Sequence, residues 1–312
     1  MRNEQSGGFA SRIAAGRRRL SGQEQVTSNR VLFLLALLLL NSQIVSAWGG
    51  DERPRNALTQ AEIANQANAP LSSIMQVRFR DTYIPKYEHM AGQSNLFGID
   101  ITMPLPAHRL LPIRHLSLLS IPACATVPNG NTGAGDLRFV DLGIAVERKH
   151  FLLGVGPVFV MPTASDREFG QGKWQIGPAG GVATFSDRWL AGVLVQNPMS
   201  VGGDQTYRRV NSMLLQPFVS YQIGKGWFVR SQPQLYFDWE TKGRIYPIDL
   251  GVGKTFKIGP QLISCYIQPF WNICADGMKA PRNGVTVGVT FLYPNFWNRV
   301  SGLWRKNDAN PA

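Results

Sequence analysis

FLLGVGPVFVMP (151–162), TASDREFGQGK (163–173) and WQIGPAGGVATF (174–185) decide how the rest of the chain is read. Two runs of strand length flank a polar loop that contains glycine. Each run is about as long as a tilted membrane-crossing strand, roughly 9–11 residues. In the second run Trp174, Ile176, Pro178 and Val182 share one parity, and Gln175, Gly177, Ala179 and Gly181 share the other. Successive residues of a strand point to opposite faces. One face is therefore apolar and the other small or polar. That dyad fits a sheet with hydrocarbon on one side and an enclosed interior on the other, so the stretch reads as one hairpin of a transmembrane β-barrel.

Working outward, about twelve such runs follow Leu71: 71–80, 93–103, 113–122, 136–147, the two above, 188–198, 213–223, 226–239, 245–256, 262–272 and 284–293. The ninth alternates most clearly, with Val229, Pro233, Leu235, Phe237 and Trp239 opposite Arg230, Gln232, Gln234, Tyr236 and Asp238. The fourth sets Val140, Leu142, Ile144 and Val146 against Asp141, Gly143, Ala145 and Glu147. The third is rich in leucine and poorly patterned. Taken together, the polar parities put Arg230, Gln232, Gln234, Asp238, Asp249, Asp141, Glu147 and Gln216 on the inside. A ring of charges and amides there would choose which solutes pass. The competing reading is that these groups pair with one another and fill a closed interior.

The links give an independent test. ERKH, SDR, GKG and KIGPQ, after runs four, six, eight and ten, are short, and those after one, three, five, seven and eleven are longer and polar. Outer-membrane barrels sort their connections this way, with short periplasmic turns and long outer loops. The link after run two is longer than this rule expects, and the link after run nine is shorter. Pro157, Pro178, Pro217, Pro233 and Pro269 also count against a regular barrel, because proline cannot donate to a ladder. Trp174, Trp189, Trp227, Trp239, Trp271, Tyr221, Tyr246 and Tyr293 lie near run ends or on apolar faces, where interface aromatics belong.

Composition agrees without deciding. The 312 residues are 44% hydrophobic and mean hydropathy is −0.10, as in barrels whose every second residue is polar. No apolar run reaches the roughly 18 residues of a membrane helix. The formal charge is +12, partly from Arg2, Arg12, Arg17, Arg18, Arg19 and Arg30 against Glu4 and Glu24. There is no basic stripe with interleaved aromatics, so nucleic acid is not an expected partner. The remaining positive charge suits anionic solutes. Cys265 falls on an apolar parity; Cys124 and Cys274 fall in links on one side, where two free thiols are favoured over a disulfide.

Residues 1–47 read as an export signal, with the apolar core Val31–Leu40 and small residues Val45-Ser46-Ala47 before a cleavage point near Trp48. An uncleaved anchor is the alternative. Residues 48–70 form a leader in which Thr59 and Glu62 fit a capping box, opening a short helix to about Asn68. That helix is either a partial plug in the barrel mouth or a solvated periplasmic lead. The barrel takes 71–293. Residues 294–312 are a tail, either an interfacial helix or disordered.

GVGPVFVMPTASDREFGQGKWQIGPA, VLVQNPMSVGGD, VNSMLLQPFVSYQIGKGWFV, DLGVGKTFKIG and VTFLYP resemble, in that order, segments of the outer-membrane barrels labelled MetA-pathway of phenol degradation, or simply transporter. ANAPLSSIMQVRF resembles the family's lead into its first strand, and the resemblance covers most of Ala61–Pro294. It implies a cell outer membrane location, the barrel assembly machinery as a partner, and passage of small, aromatic compounds. This chain departs from the pattern by continuing past FLYP.

Catalytic patterns are absent: there is no GxSxG, HExxH or P-loop, and Gly251–Thr255 alternates as a strand does. No cofactor or metal is implied, and the chain reads as not an enzyme. Two classes of function remain: a passive channel for small molecules set in the lipid bilayer, and a non-conducting structural or adhesive envelope barrel.

Overall fold

The computed structural model describes residues 71, 74–88, 90–107, 112–276, 280–294, 296 and 297. The export signal, the leader with its short helix, and the tail beyond Trp297 lie outside the described residues. Twelve antiparallel barrel strands run in chain order. They are β1 Met75–Tyr87, β2 Ser94–Leu105, β3 His115–Thr126, β4 Leu137–Arg148, β5 Phe151–Met161 and β6 Lys173–Phe185. Next come β7 in two pieces, Trp189–Gln196 and Met199–Gly203, and β8 Ser212–Gly224. Two more strands are also broken: β9, Trp227–Ser231 with Leu235–Asp238, and β10, Arg244–Asp249 with Gly251–Ile258. β11 Gln261–Asp276 and β12 Pro281–Tyr293 complete the set, with a two-residue strand, Thr132–Gly133, in the link after β3.

Each strand pairs with the next, and β12 pairs back onto β1 from Met75↔Tyr293 to Tyr83↔Val285. The sheet is thus a closed, twelve-stranded antiparallel barrel with no free edge, which satisfies every ladder within the wall. The register makes its alternation inside-out relative to a soluble protein. Gln175, Ser220, Gln222, Arg230, Ser264 and Thr290 are buried, while Val155, Ile223, Leu250, Val252 and Val287 are exposed. A wall that buries amides and displays aliphatics has hydrocarbon outside it.

The exposed aromatics form two belts. Trp189, Tyr221 and Trp227 sit at strand ends beside short turns, and Trp174, Trp239 and Trp271 sit towards the long loops. Indole and phenol rings, with an apolar body and a polar edge, settle at membrane–water interfaces. The short turns are Lys149-His150, Ser186–Arg188, Lys225-Gly226 and Gly259-Pro260. In the third of these Lys225 and Gly226 both have positive φ, 51° and 80°, as a tight hairpin whose twist matches its strands requires. With its lipid-facing band and these belts, the barrel belongs in the cell outer membrane.

The prolines are accommodated in two ways. Pro157 and Pro178 face each other across β5 and β6 within a continuous register. Others mark interruptions: Pro198 and Pro233 lie in the gaps of β7 and β9, and Pro247 follows a register shift in β10. The strands also extend beyond the runs read from sequence. Cys124 and Cys274 therefore lie within β3 and β11 rather than in links, and none of the three cysteines forms a disulfide.

Candidate functional site

The interior has two zones. Near the short turns, on the side formed by β3 to β8, the inward residues are apolar and packed: Leu116, Leu142, Leu152, Ala183, Leu190 and Phe218, joined by Leu71 from just before β1. Leu142 and Ala183 are fully buried, and the others are at most 4% exposed. Leu71 reaches to where a side chain at Gly181 would be, 2.8 Å from that position. This side of the short-turn end is packed, and buried amides and hydroxyls such as Gln76, Gln222, Gln261 and Ser264 occupy the other side.

Beyond it, towards the long loops, opens a cavity of about 740 Å³. Arg78, Arg80, Arg138 and Arg230 line it with Asp100, Asp136, Asp249, Tyr236, Tyr266 and several amides. Alternation on β1 brings Arg78 and Arg80 inward together. Arg80 forms an ion pair with Asp100 at 2.9 Å, whose carboxylate also accepts from the Ser120 hydroxyl. The Arg78 Nε donates to the Thr290 hydroxyl at 3.3 Å. The Arg230 guanidinium donates to Gln232 and lies 4.3 Å over the Tyr266 ring. That stack depends on a glycine. A side chain at Gly288 would meet the Tyr266 ring at 2.2 Å, so only glycine lets the ring lie against the wall. Asp249 accepts from the Gln232 backbone N–H at 2.8 Å, bridging the interruption in β9.

The sequence-derived lumen residues separate into groups. Arg230, Gln232, Gln234, Asp249 and Gln216 all line the cavity. Asp238 is inward and buried but serves structure: it binds Arg208 at 2.5 Å and accepts from the Glu240 and Thr241 backbones. Glu147 sits at the rim, exposed, paired with Arg114.

Asp141 requires correction. It pairs in register with Ser117, between Phe139 and Gly143, and so shares the outward face with Val155, the partner of Gly143. There its carboxylate accepts from the Ser117 hydroxyl at 2.7 Å and meets His115 Nδ1 at 2.8 Å. Val140 and Leu142, read as outward, point inward instead. The reason is tertiary: Leu142 completes the apolar packing with Leu71 and Leu116, while three polar groups satisfy one another outside. An extra residue in β4 between Ile144 and Val146 then restores the expected parity at Glu147.

The reversal also hid Arg138, which the register places inward opposite Ser120. Arg78 and Arg80 share the parity of Gln76 in run 71–80, opposite Met75, Val77 and Phe79. The signal that marks them as site residues is the spatial convergence of β1, β4, β9 and β11, which linear sequence does not carry.

No family model matches the chain, and no curated protein matches it. Solved structures similar to it are outer-membrane barrels. One is an outer membrane channel from Pseudomonas putida F1, with 10% identity, TM-score 0.50, 78% of this chain and 99% of that one covered. Another is the NanC porin, with 9% identity, TM-score 0.46 and coverage of 70% and 98%. A third is outer membrane phospholipase A from Escherichia coli, with 13% identity, TM-score 0.40 and coverage of 76% and 98%. These likenesses concern fold. The exclusion of catalysis drawn from sequence does not stand: similar barrels include an enzyme as well as channels, and the fold alone does not decide between them. The motifs whose absence supported that exclusion belong to other architectures. A barrel brings polar groups together across neighbouring strands, as His115, Ser117 and Asp141 show, without leaving a linear pattern.

Proposed function

We propose that this protein is an outer-membrane channel for small solutes that favours anions. One observation carries the reading: four inward guanidinium groups, Arg78, Arg80, Arg138 and Arg230, surround one cavity and outnumber its three carboxylates, Asp100, Asp136 and Asp249. Positive charge in a confined space with low-dielectric walls concentrates anions. The sequence motifs shared with the phenol-degradation barrels extend the proposal to small aromatic compounds. On the same reading residues 1–47 are a removed export signal, 48–70 a periplasmic leader or partial plug, and the barrel assembly machinery inserts 71–293.

The packed layer around Leu71 favours a second reading, a barrel closed at its short-turn end that serves structure or adhesion. Swelling of liposomes carrying the protein, in sugars, phenolics and organic acids, separates the two. Uptake of organic acids ahead of sugars of similar size is expected, and Arg230→Ala should lower that preference. Swelling no faster than protein-free liposomes for every solute would support the closed barrel. A change in thermal stability alone for Arg230→Ala would make that arginine structural.

A further inference from the structure

Three of the four cavity arginines have partners among the inward side chains. Arg80 has Asp100, Arg78 has Thr290, and Arg230 has Gln232 and the Tyr266 face. Arg138 differs. Among the described residues no hydrogen bond or ion pair reaches its guanidinium, although β4 holds it inward between Ser120 on β3 and Val160 on β5. Tyr236, from β9, and Arg80 lie within electrostatic reach of it. Tyr236 and Gln234 also line the cavity, and neither makes a side-chain hydrogen bond among the described residues.

A guanidinium withdrawn from bulk water loses hydration that an ion pair must replace. Its planar fork of N–H donors matches a carboxylate with two parallel bonds. A repulsive neighbour such as Arg80 is tolerable where an anion can sit between the two cations. Arg80 is already occupied by Asp100, so the site offers one free fork and a nearby phenol. That suits a monocarboxylate better than a phosphate, whose two charges need more than one donor fork.

We infer that Arg138 is the centre of a carboxylate-binding site in the lumen, with Tyr236 as a second donor. The inference rests on the cavity being a solute path, but its test does not. Binding of trifluoroacetate to the full-length mature protein in detergent is followed by fluorine NMR, with Arg148→Ala, at an exposed strand end, as control. Saturable binding is expected for the native protein and the control. Arg138→Ala should weaken it at least tenfold, and Arg138→Lys should fall between, having charge without the fork. Should Arg138→Ala fail to fold, Arg138→Gln takes its place. Equal binding by the native protein and the Arg138 variants, or no saturable binding by the native protein, overturns the site. Glycerol-driven swelling of liposomes reads the path separately. If glycerol fails to enter while Arg138-dependent binding persists, the channel reading falls and the site stands.

Discussion

The two zones of the interior have the same strand parity and opposite chemistry. Around Leu71, Leu116, Leu142, Leu190 and Phe218 the inward residues are aliphatic or aromatic and tightly packed. A few residues further along the same strands, Arg138, Gln196 and Gln216 line an open cavity. Alternation therefore decides which side chains enter the barrel, and their size and polarity decide whether the space closes. Apolar groups that can exclude water pack to near-crystalline density. Arginines and amides, each needing several partners, leave room that solvent and solutes can occupy.

The sharpest way to break this contrast is to hollow out the packed zone. Leu142→Ala removes a fully buried side chain and should cost about 2–5 kcal/mol, read as a lowered urea midpoint in refolding into lipid. The same truncation at Gln216, in the cavity zone, should move that midpoint far less.

A second test sets the inner against the outer surface. Val219 faces outward and is 47% exposed, so Val219→Arg should destabilise by about 2–4 kcal/mol if it lies at the bilayer midplane. Gln216→Arg, inward on the same strand, should be tolerated and should raise anion preference in planar-bilayer reversal potentials. Equal tolerance of both substitutions would contradict the assigned faces.

Within the cavity, Gly288→Ala places a methyl group against the Tyr266 ring. Overpacking of this kind costs about 1–3 kcal/mol, and it should loosen the Arg230 stack, read as a changed single-channel conductance. A similar substitution at Gly130, which nothing crowds although its φ is positive, should leave conductance unchanged.

The smallest effect lies outside both zones, in the link between β7 and β8. Asp204 accepts from the Thr206 N–H at 2.8 Å, and hydrogen bonds from Thr206 hold its carboxyl below the usual carboxylate range. A lowered folded-state value means that the stabilisation is present above the unfolded value, about 3.9. It is lost as pH falls through the lower folded value. Hydrogen exchange at the Thr206 amide, corrected for intrinsic rates, should lose protection over that acid range, and Asp204→Asn should remove most of the dependence.

Much was legible in the residues alone. Period-two alternation in 174–185 and 226–239 marked the wall, and the short links marked the turns. The clear runs gave the right face for Arg230, Gln232, Gln234, Asp249 and Gln216. Misreading came where pattern was weak. In β3 and β4 both parities contain aliphatics, so hydrophobicity could not choose between Asp141 outward and Asp141 inward. The choice was made by Leu71 and its neighbours, which needed Leu142 inside, and by His115 and Ser117, which satisfied Asp141 outside.

Strand number, membrane setting and the faces of the clearly alternating strands followed from the amino-acid order because a lipid-facing sheet constrains every second residue. Which interior groups meet was decided only by closure. Pairing β12 with β1 brings Thr290 to Arg78, two residues far apart in the chain, and the β11–β12 ladder sets Gly288 beside Tyr266. Among the described residues Arg138 emerges as the cavity guanidinium without a hydrogen-bond or ion-pair partner because partnership depends on three-dimensional neighbours, which local periodicity does not encode.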